Sequence, residues 1–252
     1  MEINQPLISI ITVSYNAVKT IEQTILSVLN QSYSNIEYLL IDGGSTDGTV
    51  NIIEKYANRL AYWVSEPDKG IYDAMNKGIE LAKGDLIGLV NSDDWYENVL
   101  EDLAHLYMIK GNNSIYHGDV NLHFMHKASL VYKPCLDLSK FYKGTIINHP
   151  TVFVPKKIYT DLGLFNIKYK IAADYDFLIR CYKESINFVY LDKVISNMRC
   201  EGVSNQQARK GYEEACQIAI SHGFSKNKVY FLYYYKCLLN MLALLKRRLI
   251  IF

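Results

Sequence analysis

The 252-residue chain lacks an excess of either charge: 27 Lys and Arg stand against 26 Asp and Glu, for a formal net charge of +1. A duplex nucleic-acid binder ordinarily carries a strong basic excess, so nucleic acid is not among the expected partners. Closely spaced cysteines are also missing. Cys135, Cys181, Cys200, Cys216 and Cys237 are all more than four residues apart, which excludes a CxxC metal or redox motif. A scattered, odd set fits reduced thiols in a cytosolic protein. The opening Met-Glu-Ile-Asn-Gln-Pro lacks the basic-then-apolar pattern of a signal peptide, so cytoplasmic substrates are expected. There is no GxGxxG fingerprint, no Gly-, Ser- or Pro-rich linker and no internal repeat. No uninterrupted apolar run approaches the roughly 20 residues of a spanning helix.

What remains is an ordinary globular balance, 50% hydrophobic and 21% charged. Residues 7–13 (LISIITV) form an apolar, β-branched run of strand length, as in a strand buried on both faces. Ile21, Ile25, Val28 and Leu29 follow at helical steps. The same alternation recurs with strands at 36–41, 61–65 and 86–90, and with helices through about Tyr56 and from Ile71 to Ala82. Four strand-helix repeats predict a largely parallel sheet covered by helices. In such sheets ligands sit at the carboxyl ends of the strands. The second half predicts strands near 114–120, 129–133, 150–154 and 186–191, a His-rich loop after the first of these, and a helix beginning near Asp174.

The acidic and glycine-rich segments all fall at strand ends. Asn91-Ser92-Asp93-Asp94 closes the fourth strand. A diphosphate needs a divalent cation, and hard cations prefer carboxylate oxygens; the same pair also suits a helix cap. Asp42 closes the second strand, where a carboxylate can meet a base or ribose, and Gly43-Gly44 permits close backbone approach. Asp68 follows the third strand toward the same cleft. Lys77 suits either a phosphate or a solvated helix face. Asp174 stands where an N-cap would, with Asp176 two positions on; a helix start keeps a carboxylate ionised, as a base requires, and plain capping is the alternative. His149 suits a ligand contact or a buried hydrogen bond. His123 and His126 lack a third metal-spaced partner and read as surface residues.

The order of these segments resembles the family-2 glycosyltransferases, inverting enzymes of the GT-A fold. Ile8-Ser9-Ile10-Ile11-Thr12-Val13-Ser14-Tyr15-Asn16 looks like the family's first strand and uracil-side loop. Gln31-Ser32-Tyr33, leading to Ile41-Asp42-Gly43-Gly44-Ser45-Thr46-Asp47-Gly48-Thr49, is similar to its nucleotide-binding turn. Residues 65–78 (SEPDKGIYDAMNKG) resemble a subgroup common in bacterial surface-polysaccharide clusters. Asn91-Ser92-Asp93-Asp94 matches the DxD region, and Ala173-Asp174-Tyr175-Asp176-Phe177 the segment of the catalytic base. The resemblance covers roughly residues 6–205.

It implies an α/β, GT-A-type, Rossmann-like and mostly parallel sheet flanked by helices, with a C-terminal helical tail. It implies a nucleotide-sugar donor, UDP-linked by family, held by Tyr15, Asn16, Asp42, Gly43, Asp68, Lys77 and Asp94. Asp93 would reach Mn²⁺ or Mg²⁺, and Asp174 would deprotonate the acceptor hydroxyl. Two positions depart from the family pattern: Asn91 replaces the first DxD carboxylate, and Ala173 replaces the Glu that usually precedes the base. The base then lies between Asp174 and Asp176, with Asp174 preferred.

The expected organisation is a glycosyltransferase domain over 1–228, with a donor half of about 1–95 and an acceptor half of about 96–228, then an amphipathic tail over 229–252. That tail mixes aromatic, apolar and basic residues and suits a helix in a membrane interface; packing on the domain is the alternative. The expected acceptor is a glycan or a polyprenyl-diphosphate-linked sugar in O-antigen, capsule or related synthesis. The expected location is the cytoplasm, peripheral at the inner face of the membrane. A sugar nucleotidyltransferase would need a Gly-rich basic loop where Ser14-Tyr15-Asn16-Ala17 stands. A non-catalytic assembly subunit is the remaining alternative.

Overall fold

The computed structural model describes residues 5–200, 208–235 and 237. Among the described residues nine strands form one sheet, in the order Tyr62–Ser65, Ile36–Asp42, Ile8–Ser14, Leu86–Asn91, Phe153–Pro155, Ser114–Phe124, Asn187–Arg199 and Trp95–Tyr96, with Lys127–Tyr132 paired to Ser114–Phe124. The first half follows the sequence closely: β1 (Ile8–Ser14), α1 (Ile21–Leu29), β2 (Ile36–Asp42), α2 (Thr49–Lys55), β3 (Tyr62–Ser65), α3 (Ile71–Leu81) and β4 (Leu86–Asn91). β2 and β4 both pair parallel with β1, and β3 pairs parallel with β2.

Strands β1, β2 and β4 are apolar on both sides because both sides are covered. Alternate residues point to opposite faces. Ile8, Ile10, Leu40, Leu86 and Val90 pack against α1. Ile11, Val13, Leu39, Ile41, Ile87 and Leu89 pack toward α3 and the second half. Burying one such side chain contributes roughly 1.5–3 kcal/mol, so a one-residue register slip would expose a whole face. The chain runs outward from β1 to β3, then crosses back to β4 on the other side of β1. The strand order therefore switches between β1 and β4, which is where an open α/β sheet forms its binding crevice.

The second half comprises β5 (Trp95–Tyr96), α4 (Leu100–Lys110), β6 (Ser114–Phe124), β7 (Lys127–Tyr132), β8 (Phe153–Pro155), α5 (Lys156–Leu162), α6 (Ala173–Lys183), β9 (Asn187–Arg199) and α7 (Ala208–Ser221). Short β8 joins the halves by pairing antiparallel with both β4 and β6. Gly88 has no side chain because the Phe153 ring fills that space: a Cβ there would lie 2.4 Å from it.

The expected boundaries shift in four places. The strand expected at 150–154 is confined to Phe153–Pro155, since residues His149–Thr151 form a 3₁₀ turn and Pro150 has no N–H for a ladder. β9 runs on to Arg199 because it pairs with β6 along most of its length. β6 in turn extends through His123, which leaves the expected His-rich loop as a tight turn at 125–126. Helix α6 begins at Ala173, so Asp174 is inside the helix and not its cap. Among the described residues no helix is long and apolar enough to cross a membrane. Among the described residues a further helix covers 226–235, and most of the expected tail lies outside the described residues.

Candidate functional site

The carboxyl edge is organised around Asp42. Register sets Ser14 of β1 and Ser65 of β3 on either side of it. Both hydroxyls donate to its carboxylate, at 2.7 and 2.6 Å. The turn that follows adds the N–H of Gly44 at 3.1 Å, the N–H of Ser45 at 2.8 Å and the Ser45 hydroxyl at 2.6 Å. Asp42 is fully buried. Burial alone would raise its pKa, but the bonds from Ser45, Ser65 and Ser14 outweigh it and hold the carboxyl below its ordinary range. Five internal donors occupy the roughly four lone-pair sites of a carboxylate, so Asp42 organises the turn and has none left for a ligand.

The turn is stitched to the end of β1 by Asn16. Its φ of 49° lies in the left-handed region, which Asn tolerates better than most residues. Its N–H donates to the Ser45 hydroxyl at 2.7 Å, and its side-chain oxygen accepts from Thr46 N–H at 2.9 Å. Tyr15 is thereby left projecting, 66% exposed. Gly43 lies between Tyr15 and Asp68: a Cβ there would meet the Asp68 carboxylate at 2.5 Å and the Tyr15 ring at 3.4 Å. Tyr15, Gly43 and Asp68 therefore meet in one place, an exposed ring face beside a carboxylate.

One strand over, β4 ends at Asn91. Asp94 is buried, with one oxygen accepting Arg199 N–H at 3.1 Å and the other 3.4 Å from the Asn91 amide. Burial, then the charge of Asp93, push its carboxyl well above the ordinary range. Asp93 is raised as well, by burial, with the Arg199 guanidinium pulling the other way. Asp93 is only partly buried, and its main-chain carbonyl accepts from Arg199. Asp94 thus faces the protein, and Asp93 is the carboxylate open to a ligand. Among the described residues no three His, Cys, Asp or Glu side chains converge as a ready-made cage. A cation here would draw its remaining ligands from a bound phosphate and water, which suits Mg²⁺-type coordination by one or two carboxylates plus substrate.

Lys77 is paired with Glu66, which raises its pKa; it does not stand free for a phosphate. Two residues near it carry more structure. Tyr72 and Asn76 lie one turn apart on α3, on one face. Asn76 exchanges two bonds with the main chain of Phe165, at 2.9 and 3.0 Å. The Tyr72 hydroxyl lies 2.8 Å from Asp174 Oδ1 and 2.9 Å from the Ile171 carbonyl. Burial lowers the pKa of His149, and the charge of Asp174 offsets part of that shift. α3 begins at Ile71, just after Asp68. The contact with Tyr72 therefore brings Asp174 from the second half to the edge that carries Asp68. Asp176, by contrast, is buried and paired with Arg180 at 3.2 Å and His222 at 2.9 Å. Of these two carboxylates, Asp176 is the one held in ion pairs among the described residues.

Sequence reading missed Arg199, Tyr72, Asn76 and Glu214. Tyr72 and Asn76 had a visible signal, their four-residue spacing inside SEPDKGIYDAMNKG. His123, expected at the surface, is partly buried: its ring lies 4.7 Å from that of Trp95, and its Nε2 is 2.8 Å from Asn197 Oδ1.

Known proteins share the sequence pattern and the fold of this chain. The family model described as "Glycosyl transferase family 2" matches residues 9–161. A "PGL/p-HBAD biosynthesis glycosyltransferase" of Mycobacterium bovis is 30% identical over 184 residues, 70% of each chain. An "Uncharacterized glycosyltransferase" of Haemophilus influenzae is 34% identical over 187 residues, 72% of this chain and 74% of that one. Among solved structures, S. aureus TarS 1–349 in complex with UDP-GlcNAc superimposes with a TM-score of 0.66 at 19% identity, over 90% of this chain and 70% of that one. Against a longer TarS structure the overlap spans 42% of that chain. The mannosyltransferase PcManGT of Pyrobaculum calidifontis, in complex with GDP-Man and Mn²⁺, gives 0.65 at 17% identity, over 93% of this chain and 70% of that one.

Proposed function

This chain belongs to glycosyl transferase family 2, and on that premise we propose that it is an inverting enzyme that moves a sugar from a nucleoside-diphosphate donor to an acceptor hydroxyl. The observation that carries the reading is the Tyr72–Asp174 contact at 2.8 Å. It brings a carboxylate of the acceptor half to the donor edge, where a base has to be.

In this reading the Tyr15 face takes the base of the nucleotide, and Gly43 lets the ligand lie close to the backbone. Asp68 meets the ribose or base. Asn16 and Asp42 hold the turn in shape, so their part in donor binding is positional. Asp94 fixes the Asp93 loop against Arg199, and Lys77 acts through Glu66. A Mn²⁺ or Mg²⁺ ion held by Asp93 and the donor diphosphate would neutralise charge on the leaving group. Asp174 accepts the proton of the acceptor hydroxyl as its oxygen bonds to the anomeric carbon and the nucleoside diphosphate departs. A positioned base of this kind contributes typically ~100–10,000-fold. The Mn²⁺ in the PcManGT complex and the UDP-GlcNAc in the TarS complex support a metal-dependent UDP-sugar donor.

The acceptor we propose is a lipid-linked or glycan hydroxyl in bacterial O-antigen, capsule or related polysaccharide synthesis. The enzyme would work at the inner face of the cytoplasmic membrane. The exposed Tyr230, Phe231, Tyr234 and Tyr235, with Lys226 and Lys228 exposed beside them, support an interfacial helix. The remainder of that tail lies outside the described residues. The test is a panel of UDP-, dTDP- and GDP-sugars with Mn²⁺, read by thermal shift and by nucleotide release with saccharide acceptors. Binding of one donor class with acceptor-stimulated release is expected. No shift and no release across the panel would contradict the reading.

A further inference from the structure

The base segment is held from a second side, by a helix outside the 9–161 span of the family match. Residues 170–172 lead into α6, whose N-terminus has no side-chain cap of its own. Lys170 is exposed, Ile171 half-buried and Ala172 buried, and a buried N–H left unpaired costs about 1–3 kcal/mol. Glu214, on α7, satisfies all three N–H groups: Lys170 N–H at 3.0 Å, Ile171 N–H at 2.8 Å and Ala172 N–H at 3.1 Å. Glu214 is itself 8% exposed, so these bonds are shielded from water, and a carboxylate acceptor makes them charge-assisted. The face of α7 is shaped for this approach. One turn before Glu214, Gly211 lets the helix close on the segment, since a Cβ there would lie 3.1 Å from Ile171 Cγ2. Ala215 and Ile218 continue the same face into the core beside α6.

The opposite side of the segment belongs to α3. Tyr72 shares its one O–H between the Ile171 carbonyl and Asp174. Burial and the charge of Asp174 keep Tyr72 protonated, so it remains a donor. Lys170 Nζ adds a bond to the Lys69 carbonyl at 3.1 Å. The main chain at Ile171 is thus gripped twice: its N–H by Glu214 and its C=O by Tyr72.

We propose that Glu214 and Tyr72 are positioning residues that together fix the Asp174 carboxylate for proton transfer, so that turnover depends on α7 being docked. This rests on the reading of Asp174 as the base. A misplacement of about 1 Å in such a group can cost on the order of 100-fold in rate.

The experiment compares wild type with E214Q, E214A and Y72F in the full-length chain, well below each variant's melting temperature. Three readouts are taken: UDP release kcat and KM with the UDP-sugar selected by the panel, binding of UDP with Mn²⁺, and hydrogen exchange of the amides at 170–172. Expected are exchange protection lost in E214A and reduced in E214Q, and kcat reduced about 10- to 100-fold in E214A and Y72F, with E214Q between. KM for donor and UDP binding should stay within about twofold. A merely structural role would lower stability without this split. Full kcat in E214A and Y72F, with active wild type, overturns the positioning proposal alone, as does a loss confined to KM or UDP binding. Wild type that releases no nucleoside diphosphate with any donor of the panel overturns the transferase reading, and the proposal falls with it.

Discussion

The two sides of the carboxyl edge are built by different kinds of contact. On the donor side, Asp42 is held by its own turn and by serines on the two adjacent strands. Strand register and the turn after β2 deliver those partners. On the base side, Asp174 is held by Tyr72, 102 residues away in the chain, and its lead-in segment by Glu214, some 42–44 residues on. The donor side is therefore a property of a repeating βα unit, and the base side a property of how later helices dock onto that unit. A substitution on the donor side should disturb stability and binding together. One on the base side should separate rate from binding.

The largest expected effect is on the base side. Asp174→Asn should lower acceptor-dependent nucleotide release by roughly 100–10,000-fold, measured as kcat at saturating donor. A loss under tenfold would place the proton acceptor elsewhere.

Asp42→Asn should break the donor side as a unit. It leaves at least one buried donor without an acceptor, at about 1–3 kcal/mol each, so chemical denaturation should report a destabilisation of about 3 kcal/mol. The pH dependence sharpens this. The fold holds Asp42 below the ordinary 3.8, so its contribution is full above that value and fades as pH falls through the lower folded value. The gap in stability between wild type and variant should narrow on acidification below pH 3.8. A gap that stays constant would show that ionisation of Asp42 is not what holds the turn.

A smaller effect of opposite sign is expected at β4. Asp94 ionises against burial and against Asp93, so its folded pKa lies above the unfolded one, and ionisation at neutral pH costs stability. Asp94→Asn should therefore raise the melting temperature of the ligand-free protein at pH 7.5, by a few degrees at most, while weakening donor binding. An unchanged or lower melting temperature would mean that the bond from Arg199 N–H outweighs the repulsion. The smallest effect belongs to the tail: deleting residues 229–252 should reduce sedimentation with anionic vesicles and leave UDP binding unchanged. Sedimentation equal to wild type would favour packing of the tail on the domain.

The same comparison explains what was legible in the sequence. β1 to β4 and their helices could be read to within a residue or so, because strands buried on both faces alternate with amphipathic helices and nothing distant competes. Asp42, Asp68 and Asp93 could be listed because each follows a strand. Their division of labour could not be read. Nothing local says that Asp42 is saturated by five internal donors, that Asp94 turns inward to Arg199, or that Glu66 engages Lys77. The sequence favours Asp174 over Asp176 but does not show that Arg180 and His222 pair with Asp176, and His222 lies 46 residues further along. Glu214 gave no signal, since one carboxylate on a helix is usually solvated. β8 was misplaced by the turn at Pro150, and β9 was read short because its full length depends on pairing with β6.

The most direct test of the account is calorimetric titration of UDP, with and without Mn²⁺, into wild type, Asp93→Ala and Asp174→Asn. The account predicts Mn²⁺-dependent binding to wild type, the same affinity within about twofold for Asp174→Asn, and loss of the Mn²⁺-dependent part in Asp93→Ala. Equal Mn²⁺ dependence in Asp93→Ala, or loss of UDP binding in Asp174→Asn, would contradict the separation of donor edge and base on which the account rests.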